Sequence, residues 1–357
     1  MFFYTLRNKI VILTLTAVFL TMNIGFTQSI EKHDIIENLS ASATDCSKRE
    51  NYLQALRYLD EAVRIDPENI SVLLQRAAVN LKITNYSEAR ADLDKVLLYE
   101  PSNSTALCLR GIASLYLGFP HDAIRDETAC LNISRFNALA YDILGMAYFK
   151  LGEYKEAESN YTLAIFFSTL NTTVNYAYYK NRADTRLCLK DFENALVDYT
   201  KAIELGAKTP DVYISRAIVY NNLKQYDNGI QDCHSAIQIN PAYESAYMTL
   251  GELYVQQEKY TSATDTMTEL LKIKPTYTDA YVFRGLVYLK QDAIKEAFRD
   301  ITKALKLSPD NAQAYKIRGI YYLKIHNRKR AAESFQKAHE LDPKAEDIIR
   351  FLNEMRE

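Results

Sequence analysis

Six of the eight prolines fall on one period. Pro67, Pro101, Pro241, Pro275, Pro309 and Pro343 are separated by 34, 140, 34, 34 and 34 residues, and 140 is four periods plus four residues. A fixed period of this length means a repeat architecture, in which each unit is too small to bury its own apolar face and must stack on its neighbours. It overrides the two or three globular domains that a length of 357 residues would otherwise suggest.

With proline at position 32 of a 34-residue frame, nine repeats begin at Ile36, Ile70, Ser104, Ala138, Tyr176, Pro210, Glu244, Thr278 and Ala312. They fill residues 36–345, with four extra residues around Leu170–Asn175; about one helical turn long, these either lengthen a helix without changing its facing or form a loop, and a division of the array into two stacks is open there. Positions not used to set the frame test it. Position 8 is small in every repeat: Ala43, Ala77, Gly111, Gly145, Ala183, Ala217, Gly251, Gly285 and Gly319. Position 20 is Ala in all but one, where Gly229 stands, and position 4 is always Leu or Tyr. Mostly apolar residues at 4, 8 and 11 follow the helical period and define helix A. Positions 17, 20, 24 and 27 repeat the pattern in helix B. Gly118, Gly152 or polar residues break the two, and the proline follows the end of helix B, where a helix must stop. The fold class expected is all-α.

These residues resemble the tetratricopeptide repeat. The fourth repeat follows that family's motif closely, with Tyr141, Leu144, Gly145 and Tyr148, then Tyr154, Ala157, Tyr161 and Ala164. Tyr mostly stands where the family has Trp at position 4. The first repeat departs with Ser42 and Cys46 at core positions, the third with Pro120 at 17 and Glu127 at 24. The resemblance implies a right-handed superhelical solenoid of nine repeats, with residues 346–357 as a capping helix whose Ile348, Ile349, Leu352 and Met355 cover the last repeat. It also implies a concave groove lined by positions 2, 5, 9, 12 and 13 of helix A. On this chain those positions supply Ile112, Tyr116, Met146, Phe149, Ile218, Met248, Val282, Leu286, Leu289, Ile320 and Leu323. Contiguous exposed apolar surface marks a partner; packing of the same residues against the next helix A is the competing reading. Family members that hold a partner's C-terminal carboxylate use Lys and Asn at positions 5 and 9. Here Lys180 is followed by Asp184 at position 9, so that activity does not carry over.

Composition narrows the function. Hydrophobic residues make up 48% and charged residues 25%, with a net charge of −2, so a basic nucleic-acid-binding face is not expected. The excess of 27 Tyr is architectural: 18 of them fall at positions 4, 11, 17 and 24. Arg at position 7 and Asp at position 23 occur together in repeats 2, 3, 5, 6 and 8, which predicts direct contact between the helices of one repeat. In the ninth repeat Arg318 faces Ser334. No phosphate loop, nucleophile elbow or dinucleotide fingerprint occurs, so no catalytic, cofactor-binding or metal residue is assigned. The cysteines at 46, 108, 130, 188 and 233 occupy different frame positions and read mostly as buried free thiols, with a Cys108–Cys130 bridge left open.

Arg7 and Lys9 followed by the uncharged stretch Ile10–Ile30 read as an export signal, cleaved near Gly25-Phe26-Thr27. A membrane anchor is the alternative, and then the only source of membrane contact. The chain is expected in the periplasm or outside the cell, as a non-enzymatic scaffold binding a protein or peptide. The alternative is a regulatory or glycan- or lipid-binding solenoid acting beside a separate enzyme.

Overall fold

The computed structural model describes residues 32–170 and 175–356. The export signal over 1–30 and residues 171–174 of the insertion lie outside the described residues. Every regular element among the described residues is an α-helix, and the chain divides into two compact units, Met1–Val174 and Asn175–Glu357. In the first unit, α1 spans 32–48 and is followed by α2 (Tyr52–Ile65), α3 (Ile70–Lys82), α4 (Tyr86–Tyr99), α5 (Ser104–Tyr116), α6 (Pro120–Ile133), α7 (Ala138–Leu151) and α8 (Tyr154–Leu170). The second unit holds α9 (Tyr176–Cys188), α10 (Phe192–Glu204), α11 (Pro210–Asn222), α12 (Tyr226–Ile239) and α13 (Glu244–Gln256). It continues with α14 (Tyr260–Ile273), α15 (Thr278–Lys290), α16 (Ile294–Leu307), α17 (Ala312–Lys324), α18 (Arg328–Leu341) and α19 (Glu346–Arg356). Odd-numbered helices up to α17 are the A helices and even-numbered ones the B helices. Within each unit an A helix packs on its own B helix, and that B helix on the next A.

Local chemistry sets the boundaries. Asn69, Asn103, Asn137, Asn175 and Asn311 stand immediately before an A helix, and each side chain accepts a backbone N–H from the first turn. Such caps contribute about 1 kcal/mol each, and they give the Asn-rich repeat ends a structural reason. At the other end of the A helices, position 15 is left-handed in all nine repeats. Only Gly118 and Gly152 suit that conformation; Glu50, Thr84, Lys190, Lys224, Glu258, Asp292 and His326 adopt it with φ of 57–64°. The β-branched Thr84 is the worst fit. Thr84→Gly is therefore expected to stabilise the first unit by about 1 kcal/mol, the left-handed penalty removed less the entropy glycine gains when unfolded. A urea midpoint that falls would contradict this.

The core is built from facing positions. The small residue at position 8 of an A helix lies under the large residue at position 24 of its B helix. A Cβ added to Gly145 would lie 2.6 Å from the Tyr161 ring, and one added to Gly319 2.5 Å from the Phe335 ring. Tyr at position 4 connects repeats: the Tyr247 and Tyr281 hydroxyls each donate to the carbonyl of the preceding repeat's proline, Pro241 and Pro275, at 3.1 Å. Tyr247 is buried and Tyr281 half-buried, and each hydroxyl reaches the edge, as tyrosine prefers. The capping helix α19 buries Ile348 completely, as its spacing predicts. Its ring contact is one the spacing does not reveal: Phe351 stacks on Phe335 at 4.8 Å and 4°.

Candidate functional site

The paired Arg and Asp make bidentate ion pairs. Arg76 with Asp92, Arg110 with Asp126, Arg182 with Asp198, Arg216 with Asp232 and Arg284 with Asp300 each place two nitrogens at 2.7–2.9 Å from the two carboxylate oxygens. In the ninth repeat Arg318 donates to Ser334 at 3.1 Å instead. Four of these arginines also have a second arm. The remaining nitrogen of Arg76, Arg110, Arg216 and Arg284 reaches position 25 of the preceding B helix, at Asp60, Asp94, Thr200 and Thr268. Each arginine therefore joins its own helix pair to the repeat before it. Tyr rings cover several of these cations, with the Arg318 guanidinium 4.4 Å from the Tyr315 ring centre. These cations are matched by carboxylates and hydroxyls, so they do not present a row of anion sites.

The helix A wall is where a partner could bind, and each unit presents its own. In the first unit, Ile112 and Met146 are half-buried against a cluster of Leu115, Ala123, Ile143 and Ala147. Phe149 is half-buried with its ring on Tyr154, 5.4 Å away. Tyr116 differs: it is 51% exposed and stacks on Tyr86 at 4.7 Å and 5°. Lys150 fixes this platform, standing 5.8 Å from the Tyr116 ring centre and donating to the Leu115 carbonyl at 2.9 Å. The same unit contains a cavity of about 270 Å³ lined by Ala43, Thr44, Ser47, Ala78, Val79 and Lys82 among others. The sequence signal for it is an absence of bulk: Thr44 and Ala78 occupy position 9 in successive repeats, and Ser47 position 12.

In the second unit, Ile218 is 37% exposed. Met248, Val282, Leu286, Ile320 and Leu323 are half-buried. Met248 packs on the cluster containing Tyr247 and Met267, while Val282, Leu286 and Ile320 pack on Leu289, Ile301 and Ile317. Leu289 is a correction to the wall: at 2% exposure it belongs to the core, because position 12 there turns onto α16 and α17. Helical spacing alone does not separate a residue facing solvent from one facing the next helix. Lys180 is also committed. It pairs with Asp184 at 2.9 Å and Asp211 at 3.5 Å, and Asp184 accepts a hydrogen bond from the buried Tyr199 hydroxyl at 2.6 Å. Burial alone would lower the Lys180 pKa, but the two carboxylates more than offset it and raise it.

Of the five cysteines, Cys108, Cys130 and Cys233 are buried, Cys46 is half-buried and Cys188 is exposed. Three of the five are thus buried, as expected of most of them, and the exposed Cys188 ends α9. Among the described residues, one group of metal-capable side chains lies close together: the Cys108 and Cys130 sulfurs and the Glu127 carboxylate, within 4.8 Å of one another. The sulfurs are 2.6 Å apart, whereas two thiolates on one zinc ion stand about 3.8 Å apart. The set as it stands is not spaced for a metal.

The fold and the helix A walls define a class of protein: repeated helix pairs that present an apolar face. A tetratricopeptide-repeat family model matches residues 138–165 and 210–243, and a second tetratricopeptide-repeat model matches 248–312. The chain carries tetratricopeptide repeats over these residues. No curated protein matches it by sequence. Among solved structures, a tetratricopeptide repeat protein from Parabacteroides merdae is 23% identical with a TM-score of 0.58, over 71% of this chain and 99% of that one. The C-terminal part of a repeat protein from Cytophaga hutchinsonii is 16% identical with a TM-score of 0.54, over 69% and 99%. At these identities the likeness concerns the fold.

Proposed function

We propose that the chain is a non-enzymatic scaffold that binds a protein or peptide along its helix A walls, outside the cytoplasm, in the assembly of an envelope or secreted complex. The observation that carries this reading is the pair of open apolar side chains at wall positions, Tyr116 at 51% and Ile218 at 37% exposure. Tyr116 stacks on the half-buried Tyr86, and Ile218 is flanked at its own frame position by Asp184 and Glu252, so a partner would meet apolar side chains edged by charge. Tetratricopeptide repeats as a class support interaction with protein or peptide. The placement outside the cytoplasm rests on the basic and then uncharged run over residues 1–30.

Affinity capture from an envelope fraction tests the reading. The expected result is one protein recovered in stoichiometric amount with the full chain. Retention of glycan or lipid without protein would replace the scaffold with a sugar- or lipid-binding solenoid.

A further inference from the structure

At position 24 the third repeat departs from the other eight. Position 24 is apolar, aromatic or a thiol elsewhere, as Leu59, Leu93, Tyr161, Tyr199, Cys233, Met267, Ile301 and Phe335; here it is Glu127. Glu127 is wholly buried, and neither of its carboxylate oxygens has a hydrogen-bond partner. It presses so closely on α5 that a Cβ added to Gly111 would overlap its oxygen. A buried carboxyl without a partner costs stability and is not retained by packing alone. What lies beside it is a pair of thiols. Cys108 from α5 and Cys130 from α6 face each other across the helix pair in direct sulfur contact at 2.6 Å. The Asn137 amide donates to both sulfurs, at 3.4 and 3.5 Å, while its oxygen caps α7.

We propose that Cys108 and Cys130 form a reversible disulfide across the helix pair of the third repeat, by exchange with an external disulfide, with the Glu127 carboxyl as proton relay. Burial pushes the Glu127 carboxyl up to about 9 and the two thiols upward as well. The three groups are therefore neutral and protonated at pH 7, and the carboxyl has moved toward the thiol range, where a proton passes between them with little change in free energy. The other charge acting on Glu127 is Asp126, which Arg110 already holds.

Cys108, which keeps the residual exposure of 4%, attacks one sulfur of an external disulfide R–S–S–R. Its proton leaves with the expelled RS⁻ as RSH, and a mixed disulfide remains on Cys108. Cys130 then attacks the Cys108 sulfur and expels the second RS⁻. Glu127 gives its proton to that leaving thiolate and takes the proton of Cys130, ending as it began. Two protein thiols have lost two electrons to form one S–S bond, and the external disulfide has gained them to become two RSH.

The full chain, equilibrated in oxidised and reduced glutathione at stepped ratios and alkylated in denaturant, provides the test. Two thiols are expected to be protected as the buffer becomes oxidising, with a mapped Cys108–Cys130 peptide, while Cys46, Cys188 and Cys233 stay alkylatable. Five alkylated thiols at every ratio, a bridge to any other cysteine, or protection lifted by a chelator and accompanied by one metal ion per chain would overturn the proposal. Glu127→Gln is expected to form the same bridge about a hundredfold more slowly, and to lose the step near pH 9 in its rate profile. An unchanged rate and profile would remove Glu127 from the mechanism. The mapping on the unaltered chain decides the bridge even where that variant fails to fold.

Discussion

Asp198→Ala is expected to lower the stability of the second unit by about 3–5 kcal/mol, the usual cost of removing one partner from a buried ion pair. Asp198 carries more than its counterparts in other repeats. It accepts two bonds from Arg182, at 2.8 and 2.7 Å, and one from Arg186 at 2.7 Å. Its side chain is 2% exposed, and the two guanidiniums are 13% and 15% exposed. Removing the carboxylate takes from two largely dehydrated cations the anion they share. Asp198→Asn keeps the shape and one acceptor, and should cost less. Urea unfolding followed by circular dichroism measures both. A loss below about 1 kcal/mol for the alanine variant, the level of an exposed ion pair, would show that the ladder does not hold the repeats together.

Phe335→Ala is expected to cost a similar amount, about 3–5 kcal/mol, through the lost transfer energy of a buried ring and the cavity it leaves. Phe335 is wholly buried in α18, lies against Gly319 of α17 and stacks on Phe351 of α19. Stability in a repeat array is local and passed between neighbours, so the damage should concentrate at the C-terminal end. Hydrogen exchange should rise first in α19, whose other anchors are Ile348 and the Lys316–Asp347 ion pair at 2.7 Å. The same contact predicts coupling. Gly319→Ala alone forces a Cβ into the ring and should cost about 1–3 kcal/mol; with Phe335→Leu in place, that cost should shrink. Additive effects would mean that the two positions do not pack as a unit.

The fold was legible because nine copies of one pattern check one another. Any helix tolerates an alanine at position 20, but eight alanines and a glycine in register do not arise without a close helix contact. The Arg–Asp pairing was legible for the same reason, since the two residues appear together in five repeats and are both missing from three. The second arm of each arginine was not, because its acceptor alternates between Asp and Thr and sits in the preceding repeat. The left-handed position 15 was also hidden: seven of its nine occupants are not glycine. The binding wall was the least legible feature. Leu289 and Ile218 follow the same helical spacing, yet one lies in the core and the other is open. The difference depends on how each A helix meets its neighbour, which no single repeat records. Glu127 was visible as an exception to the motif, but its meaning needed the two sulfurs that the fold brings beside it.

The central claim is that a protein or peptide partner binds on the open apolar residues of the helix A walls. Tyr116→Glu combined with Ile218→Glu tests it most directly. Both side chains are exposed, so the variant should melt with the unaltered chain, unlike charges placed at the half-buried Met146 or Leu286. Affinity for the captured partner, measured by titration, is expected to fall about tenfold or more. Undiminished affinity in a variant with unchanged melting would contradict the account.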